Sequence, residues 1–157
     1  MSIEIERKFL VKSLAFKEES YASIEIKQGF LNSDKNRTVR IRVTNNKGFI
    51  TVKGKSNKEG TTRFEWEKEI SKTEALQLLK LCEKGLIEKT RYLVKKGKNT
   101  FEVDEFFGEN EGLVVAEIEL ENENEPFEKP NWLGKEVTGE INYYNSAISK
   151  NPFKNWK

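Results

Sequence analysis

The sequence predicts a mainly β protein of the α+β class: an eight-stranded antiparallel barrel, or a strongly curved sheet, with two or three helices packed outside. Three observations predict it. Eight short segments alternate apolar and polar residues with period two. Short polar turns join most of them, which favours antiparallel neighbours. Helical periodicity is confined to a few brief stretches.

The strand segments are 3–11, 24–31, 37–43, 48–53, 61–70, 86–95, 100–106 and 113–121. In the first, Glu4, Glu6 and Lys8 share one face, and Ile3, Ile5, Phe9 and Val11 the other. The second and third are joined by Asn32-Ser33-Asp34-Lys35-Asn36, the third and fourth by Asn45-Asn46-Lys47-Gly48, and the sixth and seventh by Lys95-Lys96-Gly97-Lys98-Asn99. Residues of these types suit turns. A polar, Lys-rich stretch from Gly54 to Gly60 joins the fourth and fifth; apart from Lys53, its lysines read as solvated. Ser71 with Glu74 three residues later forms a capping box. Ala75, Leu78, Leu79 and Cys82 follow at helical spacing, with Gly85 as the expected stop. A short helix is expected within 12–22 and another over about 142–150. Residues 122–135 read as a connecting loop.

Composition bounds the function. The 157 residues suit one domain over 1–157, and 10 Phe, 4 Tyr and 3 Trp argue against disorder despite a charged fraction of 34%. The net charge of +2 gives no bulk attraction for nucleic acid or acidic membrane, so anion binding must be local. No long apolar run and no signal-like start are present, which predicts a soluble, cytoplasmic protein. Histidine is absent and Cys82 is the single cysteine. This excludes His-based nucleophilic schemes, an internal disulfide and the usual zinc ligands. Catalysis must run on carboxylates, Lys, Arg, Tyr or an oxygen-held metal.

Charge pairs at i, i+2 recur along the strands: Arg40/Arg42, Glu65/Glu67, Lys89/Arg91 and Glu117/Glu119. Each lies on one strand face. That face is either a solvated exterior or the lining of a polar tunnel, and period-two alternation does not distinguish them.

The opening Glu4-x-Glu6-x-Lys8 resembles the ExExK signature of the CYTH superfamily, the triphosphate tunnel metalloenzymes. In chain order, Gln28-Gly29-Phe30-Leu31 resembles that family's QGYL, Thr38-Val39-Arg40-Ile41-Arg42 its TVRxR, and Thr51-Val52-Lys53-Gly54 its TxKG. Arg63-Phe64-Glu65-Trp66-Glu67, Lys89-Thr90-Arg91-Tyr92 and Glu102-Val103-Asp104 resemble further family segments. So do Ala116-Glu117-Ile118-Glu119-Leu120 and Trp132-Leu133-Gly134-Lys135-Glu136-Val137-Thr138. The resemblance, to the short bacterial form, spans nearly the whole chain. It implies a tunnel whose charged interior binds a triphosphate and a divalent metal.

On that resemblance, Lys8, Arg40, Arg42, Lys53, Lys89 and Arg91 are expected to bind phosphate, Arg as a planar fork and Lys as a point charge. Arg63 is expected either to join them or to pair with a tunnel glutamate. Glu4, Glu6, Glu117 and Glu119, with Asp104, are expected to hold Mg²⁺ or Mn²⁺, which take hard oxygen ligands. Glu65 and Glu67 are expected to hold a second metal, orient arginines or balance charge. Glu4, Lys8 and Glu117 are the expected catalytic residues, with Glu4 or Glu117 taking a proton from water.

The activity implied is metal-dependent hydrolysis of inorganic tripolyphosphate to diphosphate and phosphate. The same fold hosts class IV adenylate cyclases and thiamine, RNA and nucleotide triphosphatases. The short form lacks an evident base pocket, which favours the inorganic substrate. A non-catalytic polyphosphate- or nucleotide-binding module could lose its carboxylates, and these are present. A nucleic-acid partner is disfavoured because interleaved acids repel a phosphate backbone. Monomer and homodimer are both compatible with the sequence. Phe64, Trp66 and Phe101 are expected in the core beneath helices, and Tyr143 and Tyr144 in core packing rather than at a tunnel mouth.

Overall fold

The structure is a computed structural model describing residues 2–156. The strands are β1 (Ser2–Val11), β2 (Ala22–Asn32), β3 (Arg37–Val43), β4 (Gly48–Gly54), β5 (Thr62–Ile70), β6 (Ile87–Lys96), β7 (Asn99–Phe106), β8 (Val114–Glu119) and β9 (Leu133–Glu136). Their order is β5-β4-β3-β2-β6-β7-β8-β1-β9, and β1 also pairs with β5. That additional pairing closes eight strands into a ring. β1 achieves it by changing partners along its length. Ser2–Ile5 register with Thr62–Glu65 of β5, and Glu6–Phe9 with Ala116–Glu119 of β8. Every pairing in the ring is antiparallel. Closure removes most of the exposed sheet edge.

The outside of the ring carries two apolar clusters. One joins Phe9, Val94, Phe101, Val103, Ala116 and Ile118 to Phe16, Trp132 and Leu133. Phe16 comes from α1 (Phe16–Glu19), the short helix expected within 12–22. The other joins Ile41 and Val43 to Ala75 and Leu79 of α2 (Lys72–Leu79), which lies over β2, β3 and β4. Because helices and loops cover the apolar outer face, the charged face turns inward.

The inner face is not charged throughout. Phe30, Ile87, Phe106, Leu113 and Val115 gather around Ile148 of α3 (Asn145–Lys150). Phe30, Ile87, Phe106 and Val115, on β2, β6, β7 and β8, stand two residues from Gln28, Lys89, Asp104 and Glu117, on the same strand faces. The interior therefore divides into a polar section and an apolar section filled by α3.

Several expectations are corrected. Residues 122–135 are not wholly loop: Leu133–Glu136 form β9 against the far end of β1, at Phe9↔Glu136 and Val11↔Leu133. A four-residue strand is too short to show alternation. The capping box is present in full: Glu74 N donates to Ser71 Oγ and Ser71 N to Glu74 Oε1. The helix ends at Leu79 rather than near Gly85. Gly85 has φ +97°, and a Cβ there would stand 1.9 Å from Ser149 O, so it serves the approach of α3. The last expected helix is split into a 3₁₀ turn over Ile141–Tyr143 and α3, because Tyr144 is extended. Phe101 is buried, but Phe64 and Trp66 are 36% and 40% exposed on the outside of β5 rather than in the core. Among the described residues no helix is long and apolar enough to cross a membrane.

Candidate active site

Two adjoining chambers of about 40 and 180 Å³ occupy the polar section. The smaller is basic. Lys8, Arg40, Arg42, Lys53, Arg63, Lys89 and Arg91 line it, and Asn145 and Ser146 of α3 close it. The larger adds the acids Glu4, Glu65, Glu67, Glu102 and Glu119. Glu6, Arg40, Arg42, Lys53, Arg91 and Glu117 belong to both. Every site residue expected from the sequence lines a chamber except Asp104, which lies behind the basic wall.

The ring places acids and bases in contact across neighbouring strands and across the strand between. Lys53 Nζ on β4 donates to both Glu4 oxygens on β1, at 3.0 and 3.1 Å, and lies 3.5 Å from Glu65. Lys8 stands 3.3 Å from Glu117 across the β1–β8 pair, and 3.9 Å from Glu6. Arg40 Nη2 reaches Thr51 Oγ1 at 3.1 Å and Glu67 at 3.5 Å. Arg63 Nε lies 3.7 Å from Glu4, so Arg63 pairs with a tunnel glutamate, and it also lines the basic chamber.

Asp104 has both oxygens engaged. Arg91 holds it bidentately at 2.8 and 2.9 Å, and Lys89 Nζ is 2.8 Å away. Burial raises its pKa, but Arg91 and Lys89 outweigh burial and hold it far below the usual carboxylate range. Burial likewise raises Glu117, and Lys8 and Arg91 bring it down to about 2. Glu6 goes the other way. Burial, with Glu117 and Glu4 beside it, pushes it up to about 8. Burial brings Lys89 down to about 7 against the pull of Asp104. Arg42 is lowered by burial and by repulsion from Arg40 and Arg91. Arg40 Nε and Arg63 Nη1 are buried without a hydrogen-bond partner. Crowded cations and orphaned buried donors are what a bound polyanion would relieve.

The acidic side fits a hard divalent cation by its donor chemistry. The donors its acids offer are carboxylate oxygens, and Glu6 carries the penalty of ionising beside other acids. Among the described residues no three carboxylates converge on a single ready-made metal position.

Sequence reasoning missed five participants. Gln28 stood in a quoted motif without a role; it is fully buried between Arg42 and Asn145. Glu102, also in a quoted motif, lies 3.4 Å from Arg91. Thr51 Oγ1 donates to Glu67 at 2.7 Å. Asn145 accepts from Lys89 at 3.0 Å. Tyr144 faces the tunnel rather than general core: its ring lies 4.8 Å from Lys8 Nζ and 5.5 Å from Arg63 Cζ. Tyr143 instead packs on Trp156. No periodic signal marks Asn145 or Tyr144, because they reach the site from a short, irregular segment.

A closed ring of antiparallel strands with a charged interior defines a tunnel protein of the CYTH class. Residues 2–150 match the CYTH domain, and the chain belongs to that family. It is 51% identical to an inorganic triphosphatase of Acetivibrio thermocellus, with 100% of this chain and 99% of that protein covered. It is 33% identical to an inorganic triphosphatase of Nitrosomonas europaea, with 93% and 96% covered. The crystal structure of the inorganic triphosphatase NE1496 superposes with a TM-score of 0.67 at 31% identity, over 95% of each chain. The PH1012 protein of Pyrococcus horikoshii shares the fold, with a TM-score of 0.62 at 23% identity over 77% of this chain and 80% of that one.

Proposed function

We propose that this chain is a metal-dependent triphosphatase that hydrolyses inorganic tripolyphosphate to diphosphate and phosphate in its tunnel. The observation that carries the reading is the basic chamber. Seven buried or half-buried cations face one space, and two of them hold donors with no partner. Full-length likeness to two inorganic triphosphatases supports the same substrate.

Lys8, Arg40, Arg42, Lys53, Lys89 and Arg91 bind the phosphoryl oxygens, with Arg63 as a seventh contact. Phosphoryl transfer spreads charge over those oxygens, so preset donors lower the barrier. Glu4, Glu6, Glu117 and Glu119 would hold Mg²⁺ or Mn²⁺. Asp104 joins them only by giving up a contact to Arg91 or Lys89. A bound cation supplies charge neutralisation at the bridging oxygens. Glu4 or Glu117, each beside a lysine, would take a proton from the attacking water. Glu65 and Glu67 orient Lys53 and Arg40.

The test is phosphate release from tripolyphosphate, ATP, GTP and thiamine triphosphate, with chelator, Mg²⁺ or Mn²⁺. Tripolyphosphate turnover should exceed the others, vanish on chelation and return with metal. Full activity in excess chelator, or cyclic AMP as the chief product from ATP, would overturn the reading.

A further inference from the structure

Six of the seven cations of the basic chamber have a carboxylate within 4.0 Å, and Arg42 alone, among the described residues, has none. Its Nε donates instead to Gln28 Oε1 at 2.9 Å. Gln28 Nε2 donates to Asn145 Oδ1 at 2.9 Å, and the same oxygen accepts from Lys89 Nζ at 3.0 Å. The orientations are forced. Arg and Lys only donate, so each amide must turn its oxygen to a cation, and the Gln28 amide N–H is left for Asn145. Gln28 is fully buried.

We propose that Gln28 is a positioning residue for the tripolyphosphate site. Together with Asn145 it forms a neutral amide bridge that fixes Arg42 and Lys89 without cancelling the charge of Arg42. The inference rests on the triphosphate reading of the tunnel. A carboxylate at position 28 would hold Arg42 more strongly, because charge-assisted hydrogen bonds exceed neutral ones. It would also neutralise the cation meant for substrate. An amide of the same shape supplies the geometry and leaves the field. The bridge also ties β2 and β6 to α3, so the segment that closes the chamber takes part in aiming its donors.

The prediction separates positioning from packing through the affinity of the folded protein. Gln28→Glu keeps the side-chain shape and the acceptor, and gives Arg42 a buried counter-ion. It also loses the N–H that Asn145 accepts, so its melting temperature is read only to show that the variant folds. Its affinity for tripolyphosphate, measured by titration calorimetry without metal, should fall at least about tenfold, since a like charge faces the ligand. Asn145→Asp places a carboxylate beside Lys89 from the α3 side and should also weaken binding, so the proposal remains testable if Gln28→Glu fails to fold. A purely structural amide would instead lose stability on substitution and leave the affinity of the folded protein intact. Binding by either folded variant within about twofold of wild type overturns the bridge and leaves the triphosphate reading standing. Wild-type protein that binds no tripolyphosphate overturns both.

Discussion

Arg42 and Glu117 face the same tunnel, yet they should fail differently when removed. Arg42 is proposed to donate to a substrate oxygen and is held by Gln28, whereas Glu117 stands among the proposed metal ligands and is held by Lys8. Arg42→Ala should lower turnover by ~10²–10³, the loss typical of one preset donor. Glu117→Ala should lower turnover and weaken metal dependence, so raised Mn²⁺ should partly restore it and leave Arg42→Ala unrescued. Arg42→Ala should still fold, because Arg42 is repelled by Arg40 and Arg91, whereas Glu117→Ala leaves Lys8 without its nearest counter-ion and should melt lower. Wild-type turnover in both variants would mean that the charged strand faces are not a catalytic lining. The roles of these two residues follow from their neighbours. Glu6 and Glu117 have the same side chain, yet burial beside acids lifts Glu6 to about 8, and Lys8 and Arg91 draw Glu117 to about 2 against burial.

At the scale of elements, β9 shows how a short strand is fixed by more than its backbone. Arg7 on β1 clamps Glu136 on β9 bidentately at 2.8 and 2.7 Å, and its guanidinium lies over Phe127. The hydrogen bond from Arg7 lowers the pKa of Glu136 against the opposing effect of burial, with help from Thr138. A depressed carboxylate stabilises the fold above its unfolded pKa, near 4.3, and that stabilisation is lost as pH falls through the folded value. The pair is partly exposed and screened, so its worth is about 0.5 kcal/mol, or about 1–2 °C in melting temperature. Glu136→Gln should melt lower than wild type from pH 8 to about 5, with the gap closing below the ordinary carboxylate pKa. A gap that stayed constant down to pH 2–3 would show that the clamp is not electrostatic. Melting curves across that range decide the matter.

For the molecule as a whole, the ring gathers mutually repelling cations inside a chamber that α3 closes at one end. Such a chamber should be stabilised by the anion it was built around. Tripolyphosphate at about a hundredfold excess over its Kd should add about 2.7 kcal/mol, a melting rise of several degrees. The rise should shrink as salt screens the charges at the tunnel mouth. A thermal scan showing no rise at millimolar tripolyphosphate would mean that the cations do not bind it as a set.

Much of this was legible in the chain. Eight strands follow from alternation, α2 from its capping box, and the charge pairs fall on single faces because side chains alternate with period two. β9 and the split of the last helix were not legible, since four residues carry no period and Tyr144 leaves the helix to lie against Lys8 and Arg63. Alternation is also symmetric between inside and outside. It separated charged from apolar residues without saying which set faced in. That was decided when β1 paired with both β5 and β8 and the coverings took the apolar face. The amide bridge joins residues 117 positions apart, Gln28 and Asn145. Local spacing carries no information on such a contact, and only the closed ring, with α3 inserted in its end, brings the two together.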